Sequence, residues 1–142
     1  MKKPAIVIDT NVIVSALRSR RGASYQLLMN IGKNKFDINI SVPLVLEYES
    51  AAKRLIGKTK LKKKDIDDIV DYICTIANQW KIFYLWRPYL KYPKDDLVLE
   101  LAVTSKSKFI VTYNKKDFQS IKTFGIRVVT PKELLKMIGV LK

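Results

Sequence analysis

Residues 5–11 read Ala5-Ile6-Val7-Ile8-Asp9-Thr10-Asn11, and this stretch decides the fold. Its first four residues are apolar without a break and rich in β-branched side chains. That is the pattern of a short strand buried on both faces, not of one alternating between core and water. Asp9, Thr10 and Asn11 then favour the N-cap of a helix. A buried strand running straight into a helix through an acid is the first half of a βαβ unit.

Working outward, a helical stretch follows and breaks around Arg20-Arg21-Gly22, and a second piece over roughly 24–33 puts Tyr25, Leu28 and Met29 on one side. Residues 36–41 alternate as a strand. Pro43 suits the first turn of a helix, with Leu44, Tyr48, Ala51 and Leu55 as its apolar stripe. The next helix carries Ile66, Ile69, Val70, Ile73, Ile76, Ala77 and Trp80 at three- and four-residue steps. Its early acids Asp65, Asp67, Asp68 and Asp71 suit the helix dipole. A strand at 82–86, a loop at 87–94, a helix from Asp95-Asp96 through Ala102 and a strand at 109–112 come next. A turn or short helical piece at 114–119, a strand at 126–129 and a terminal helix from Pro131 through Leu134, Leu135 and Ile138 complete the chain. Strands alternating with helices predict an α/β fold with a mainly parallel sheet covered on both faces. With no repeat, linker or low-complexity segment, residues 1–142 are expected to form a single domain.

Composition narrows the chemistry. Lys and Arg number 27 against 13 Asp and Glu, giving a formal net charge of +14, and histidine is absent. The missing histidine removes His-based acid/base catalysis, Ser-His and Cys-His nucleophiles and the HExxH metalloprotease helix. A lone cysteine, Cys74, excludes a disulfide framework within the chain and a Cys-based zinc cage. After Met1-Lys2-Lys3 the apolar run is too short for a signal-peptide core, and no stretch approaches a membrane helix. One thiol fits a reducing compartment, so a cytoplasmic protein is expected. The charge calls for a polyanion, nucleic acid first and an acidic membrane surface second.

Ligands of open parallel α/β sheets bind outside the carboxyl ends of the strands. Asp9 ends the first strand, Asp117 lies just beyond the strand ending at Thr112, and Asp95 and Asp96 open the helix leading into that strand. On the early helix, Glu47 falls roughly 80° and Glu49 roughly 120° from the centre of the apolar stripe. Glu47 therefore borders the core and is the better candidate. Each acid also has a plain reading: Asp9 or one of Asp95 and Asp96 as an N-cap, Glu47 as a solvated helix residue, Asp117 as a turn stabiliser. Two carboxylates about 4 Å apart repel by roughly 4 kcal/mol at an effective dielectric of about 20. A divalent cation or a raised pKa removes that repulsion. Hard oxygen ligands favour Mg²⁺ or Mn²⁺, and such a metal activates water and binds a phosphate oxygen, which gives phosphodiester hydrolysis.

Four segments carry a family likeness in order and spacing: Ile6-Val7-Ile8-Asp9-Thr10-Asn11-Val12, Pro43-Leu44-Val45-Leu46-Glu47-Tyr48, Asp95-Asp96 before an apolar helix, and Ile110-Val111-Thr112-Tyr113-Asn114-Lys115-Lys116-Asp117-Phe118. Over nearly its whole length the chain resembles the PIN-domain ribonucleases of the VapC-like toxin group. The resemblance implies a PIN-like three-layer fold with about five parallel strands, and a metal-dependent endoribonuclease using metal-activated water. It implies Asp9, Glu47, Asp95 and Asp117 as the catalytic acids. The cation would be held by Asp9, Asp95, Asp96 and Asp117, with Asp95 ahead of Asp96 on spacing. Thr10, Asn11, Thr112 and Asn114 would be supporting polar groups. Many members carry Asp where this chain has Asn114, so less negative charge stands there. A small inhibitory antitoxin protein and a homodimer are the implied partners, besides RNA.

Arg18, Arg20 and Arg21 follow the helix that Asp9 opens and are the favoured phosphate contacts, with Lys115 and Lys116 beside the last acid. The run Lys53, Arg54, Lys58, Lys60, Lys62, Lys63 and Lys64 reads equally well as a solvated surface. Aromatics interleaved with cations over 84–94 could stack single-stranded bases, or pack on the core or a partner. Competing functions are a catalytically inactive RNA-binding or regulatory module and an RNA-processing nuclease that is not a toxin. A receiver-like domain lacks an acid at the end of a middle strand, and Asn11 breaks the Asp-x-Asp phosphatase pattern.

Overall fold

A computed structural model describes residues 3–82 and 90–141. The expected strand at 82–86 and most of the aromatic segment 84–94 lie outside them. The strands are β1 (Ala5–Ile8), β2 (Asp37–Ile40), β3 (Asn78–Gln79), β4 (Phe109–Val111) and β5 (Arg127–Val129). The helices are α1 (Thr10–Arg18), α2 (Ala23–Met29), α3 (Val42–Lys53), α4 (Lys63–Ile76), α5 (Pro93–Thr104) and α6 (Pro131–Met137), with a 3₁₀ helix over Lys115–Phe124. Among the described residues the strands form one sheet in the order β3-β2-β1-β4-β5, every neighbouring pair parallel.

The apolar run that opens the sequence is the central strand. Ile6 pairs with Ile38 on one side and Phe109 on the other, and Ile8 pairs with Val111. Successive strand residues face opposite ways, yet Ile6, Val7 and Ile8 are all buried, so both faces of the sheet are covered. That is why the run does not alternate. α5 packs against β1, β2 and β4, and residues all round it are buried, including Val98, Leu99, Leu101 and Ala102. The α3 stripe is as spaced: Leu44, Tyr48, Ala51 and Leu55 are all buried.

α4 departs from its expected length. The apolar pattern runs to Trp80, but the helix ends at Ile76 and Ala77 takes an extended conformation. The open edge of β2 explains the switch. Asn39 and Ile40 need backbone partners there, and they pair with Asn78 and Gln79. Trp80 continues the pairing by donating its backbone N–H to Ile40 O (2.9 Å), and its indole N–H to the buried Asn39 Oδ1 (2.8 Å). On the facing side of α4, Tyr72 donates its hydroxyl to Ile31 O (3.0 Å) across Gly32, whose φ is +83°. A Cβ at Gly32 would stand 2.6 Å from that hydroxyl. Gly32→Ala is expected to lower stability by about 2 kcal/mol, from left-handed strain and the broken tyrosine bond. Gly57→Ala, at φ +88° with nothing within 4 Å, carries the strain alone and should cost less. Paired thermal melts of the two variants check this; equal losses would remove Tyr72 from the account.

Candidate active site

Strand order explains why distant residues meet. From β1 the chain passes to β2 on one side and later returns to β4 on the other, so the crevice beyond the carboxyl ends of β1 and β4 is a topological switch point. Asp9 stands at that end of β1, N-caps α1 and donates its backbone N–H to Val111 O (2.9 Å). Beneath it the buried Tyr48 of α3 donates its hydroxyl to Ile8 O. Thr112, fully buried past β4, faces Asp9.

The Thr112 hydroxyl is used to capacity. It donates to Asp9 Oδ2 (2.8 Å) and accepts from Asn11 Nδ2 (3.2 Å) and the Asn114 N–H (3.0 Å). Asp9 Oδ1 accepts from the Thr10 N–H (2.8 Å), and Asn11 Nδ2 also lies 3.4 Å from Asp9 Oδ2. Asn11 Oδ1 in turn accepts from the Tyr113 N–H (3.3 Å). The resulting lattice of polar groups fixes one carboxylate at the bottom of the crevice. Burial nevertheless raises the Asp9 pKa, helped by the negative charge of Asp117 and Glu47 and opposed by the bonds from Thr112 and Thr10.

Asp95 sits in the first turn of α5, 7% exposed. Its Oδ2 is buried and has no hydrogen-bond partner among the described residues. Burial first, then the charges of Asp9, Asp117 and Asp96, push its pKa up to about 7. Asp96 points its Oδ1 instead at the Leu90 N–H (2.8 Å), which ties down the chain entering α5. Neither acid is the N-cap. α5 starts earlier, with Tyr92 as cap and Pro93 at the first helical position, where its lack of an N–H costs nothing.

Glu47 keeps 20% of its side chain exposed against 34% for Glu49, as the helical angles predict, and its Oε1 pairs with Lys94 Nζ at 3.2 Å. Asp117 is half-buried in the 3₁₀ helix and acts on Asp9 and Asp95 through its charge. A cleft of about 570 Å³ gathers Asp9, Asn11, Glu47, Asp95 and Asn114, with Thr10 on its wall. Among the described residues no three acids stand close enough to form a ready-made metal cage. Mg²⁺ does not require one, since it keeps several waters and binds through one or two carboxylates plus phosphate oxygens. An orphaned oxygen on the Asp95 carboxyl, which shares the cleft with Asp9 and is raised in pKa by burial and by the Asp9 charge, fits such a hard cation.

The expected basic contacts separate. Arg18 lines this cleft, Arg20 lines a neighbouring cleft of about 1000 Å³, and Arg21 is exposed and lines neither. Lys115 pairs with Glu133 (3.1 Å), and both Lys115 and Lys116 border a different depression. Arg54, from the run that reads equally well as a phosphate grip or a solvated surface, lines the cleft beside the acids, and so does Lys94, which was not expected there. A signal for each was present: Arg54 lies seven residues, two helical turns, after Glu47, and Lys94 directly precedes Asp95.

Two solved structures share the fold. One is VapBC2 from Rickettsia felis, bound to a DNA fragment from its promoter (TM-score 0.60, 20% identity, 89% of this chain and 98% of that one). The other is VapBC-1 from nontypeable Haemophilus influenzae (TM-score 0.61, 15% identity, 90% of this chain and 98% of that one). No curated protein sequence matches the chain. The PIN domain family model matches residues 5–116, from the first residue of β1 into the 3₁₀ helix that carries the last acid, and the chain belongs to the PIN domain family.

Proposed function

We propose that the protein is a metal-dependent endoribonuclease, the toxin member of a VapC-like toxin–antitoxin pair. The observation that carries the reading is the meeting of Asp9 and Asp95 in one cleft, the second with a buried oxygen that has no hydrogen-bond partner among the described residues. Folding has brought together two carboxylates whose pKa values both rise, an arrangement that is unfavourable unless a cation joins it. Asp9 and Asp95 would hold Mg²⁺ or Mn²⁺, with Asp117, Glu47 and Asp96 adding charge around it. The bound cation supplies polarisation of a phosphate oxygen and a lowered pKa for water. Arg18 and Arg54 hold the flanking phosphates, and Thr112 with Asn11 keeps the Asp9 carboxylate aimed. Lys94 holds Glu47 in place at the rim.

The likeness to VapBC structures supports an antitoxin protein as partner; a second copy of the chain is a further expected associate. The +14 charge, with Arg18 and Arg54 on the cleft wall, supports RNA as substrate. End-labelled single-stranded RNA of mixed sequence, tRNA and ribosomal RNA, each incubated with Mg²⁺, Mn²⁺ or EDTA, test the reading. Cleavage at defined positions with either metal and none in EDTA is the expected result. Salt-sensitive binding without cleavage of any of the three would overturn it in favour of a binding module, the role to which Asn114 in place of an acid lends itself.

A further inference from the structure

We propose that Tyr113 is a stacking platform for an unpaired nucleobase beside the cleft, and so sets which nucleotide is accepted next to the phosphate held there. The inference rests on the nuclease reading and adds a specificity residue to it. Tyr113 lies between Thr112 and Asn114, past the end of β4, and is 45% exposed. An exposed tyrosine on a loop usually moves with its side-chain torsions, but both ends of this one are held. Its backbone N–H donates to Asn11 Oδ1 (3.3 Å), and Asn11 lines the cleft. Its hydroxyl lies 2.9 Å from the Oγ of Ser24, which is 1% exposed at the start of α2. Ser24 Oγ in turn donates to Ser15 Oγ (2.9 Å), and Ser15 is a cleft residue of α1.

The tether has a physical consequence. A hydroxyl bound to a buried partner fixes where the ring axis points and so holds the side chain in one rotamer about its first torsion, while the exposure leaves ring surface open to solvent next to Asn114 of the cleft. A ring fixed before binding loses little rotamer freedom when a base stacks on it. Every base has a π-face, so stacking takes single strands and discriminates by stacking strength instead of hydrogen-bond readout. The ligand class is therefore an unpaired base of single-stranded RNA, with purines held better than pyrimidines. Thr112 and Asn11 connect the backbone of Tyr113 to the Asp9 carboxylate by consecutive hydrogen bonds, which keeps the residue and the acid in one register.

The test uses the full chain carrying Asp9→Asn, so that RNA is bound and not cut, with single-stranded RNA containing 2-aminopurine at successive positions. Quenching of the fluorescent base at one position is expected, with affinity falling about tenfold in Tyr113→Ala and the quench disappearing. Tyr113→Phe keeps the ring and should keep most of the quench; Tyr113→Leu keeps apolar bulk and should lose it. Equal losses in the Phe and Ala variants would overturn the proposal, because the tether and not the ring would then matter. No quench at any position, or no binding, would overturn it as well. Cleavage by the wild type is scored separately. Quench without cleavage would leave the platform standing and sink the nuclease, and cleavage without quench would do the reverse.

Discussion

Asp9→Asn is expected to fold as well as the wild type and to lose RNA cleavage by about a thousandfold, the scale on which removing one preorganised charged group acts. The substitution separates two roles that one side chain fills. As N-cap of α1, Asp9 accepts from the Thr10 N–H through Oδ1, and asparagine caps as well as aspartate. As an anion, its Oδ2 takes the Thr112 hydroxyl and the Asn11 amide. The amide cannot offer a negative oxygen there, so a cation in the cleft would keep Asp95 and lose Asp9. Neutralising a buried charge whose pKa the fold raises also removes a cost of folding. The new Nδ2 meets the Thr112 and Asn11 donors, which offsets that relief, so the melting temperature should hold close to the wild type while cleavage is lost. Asp9→Ala would lose the cap too, at about 1 kcal/mol. Cleavage by Asp9→Asn within tenfold of the wild type would remove this residue from the centre of the reaction.

Asp95→Asn is expected to be the more stable protein at pH 8 in EDTA, and the less stable of the two in its response to Mg²⁺. A carboxyl at about 7 in the folded protein and 3.8 outside it holds its proton more tightly when folded. Between those values the folded state binds more protons than the unfolded state, so stability falls as pH rises. The contribution is whole below about pH 4 and is lost as the pH rises through about 7. Asp9 adds in the same direction. Glu133, lowered by the Thr130 N–H and Lys115, works the other way and only at acid pH. Chemical denaturation of wild type and Asp95→Asn at pH 5, 6, 7 and 8 isolates the Asp95 part. The two curves should diverge across that range, and parallel curves would refute the coupling. Metal at 100 times its dissociation constant should return about 2.7 kcal/mol to the wild type, and much less to Asp95→Asn, which has one carboxylate fewer to offer.

The residues that make these predictions possible were legible to different degrees. Local chemistry gave Asp9 both its cap and its place at a strand end, because strand, acid and helix are adjacent in the chain. Helical angle placed Glu47 nearer the core than Glu49 by geometry within a single turn. The likeness over four segments supplied Asp95, and the structure then gave it a buried, unsatisfied oxygen that no spacing rule reports. The end of α4 could not be read from its apolar period. Trp80 continues the helical spacing, and what overrides it is the open edge of β2, forty residues away in the sequence.

The elements and their chemistry were already written in the chain: a central strand through an unbroken apolar run, acids after strand ends and in helix first turns, cationic excess, and the absence of histidine. These are properties of residues and their near neighbours, where the periods of helix and strand act directly. Only the tertiary structure decided which acids share a cleft and which groups surround them. It set Thr112 against Asp9 from 103 residues away, turned Asp96 to a backbone amide, bound Glu47 to Lys94, brought Arg54 beside the acids and moved Lys115 to Glu133. Strand order and the packing of helices on the sheet fix those meetings, and burial there shifts the pKa of Asp95, a quantity that a side chain acquires only from its surroundings.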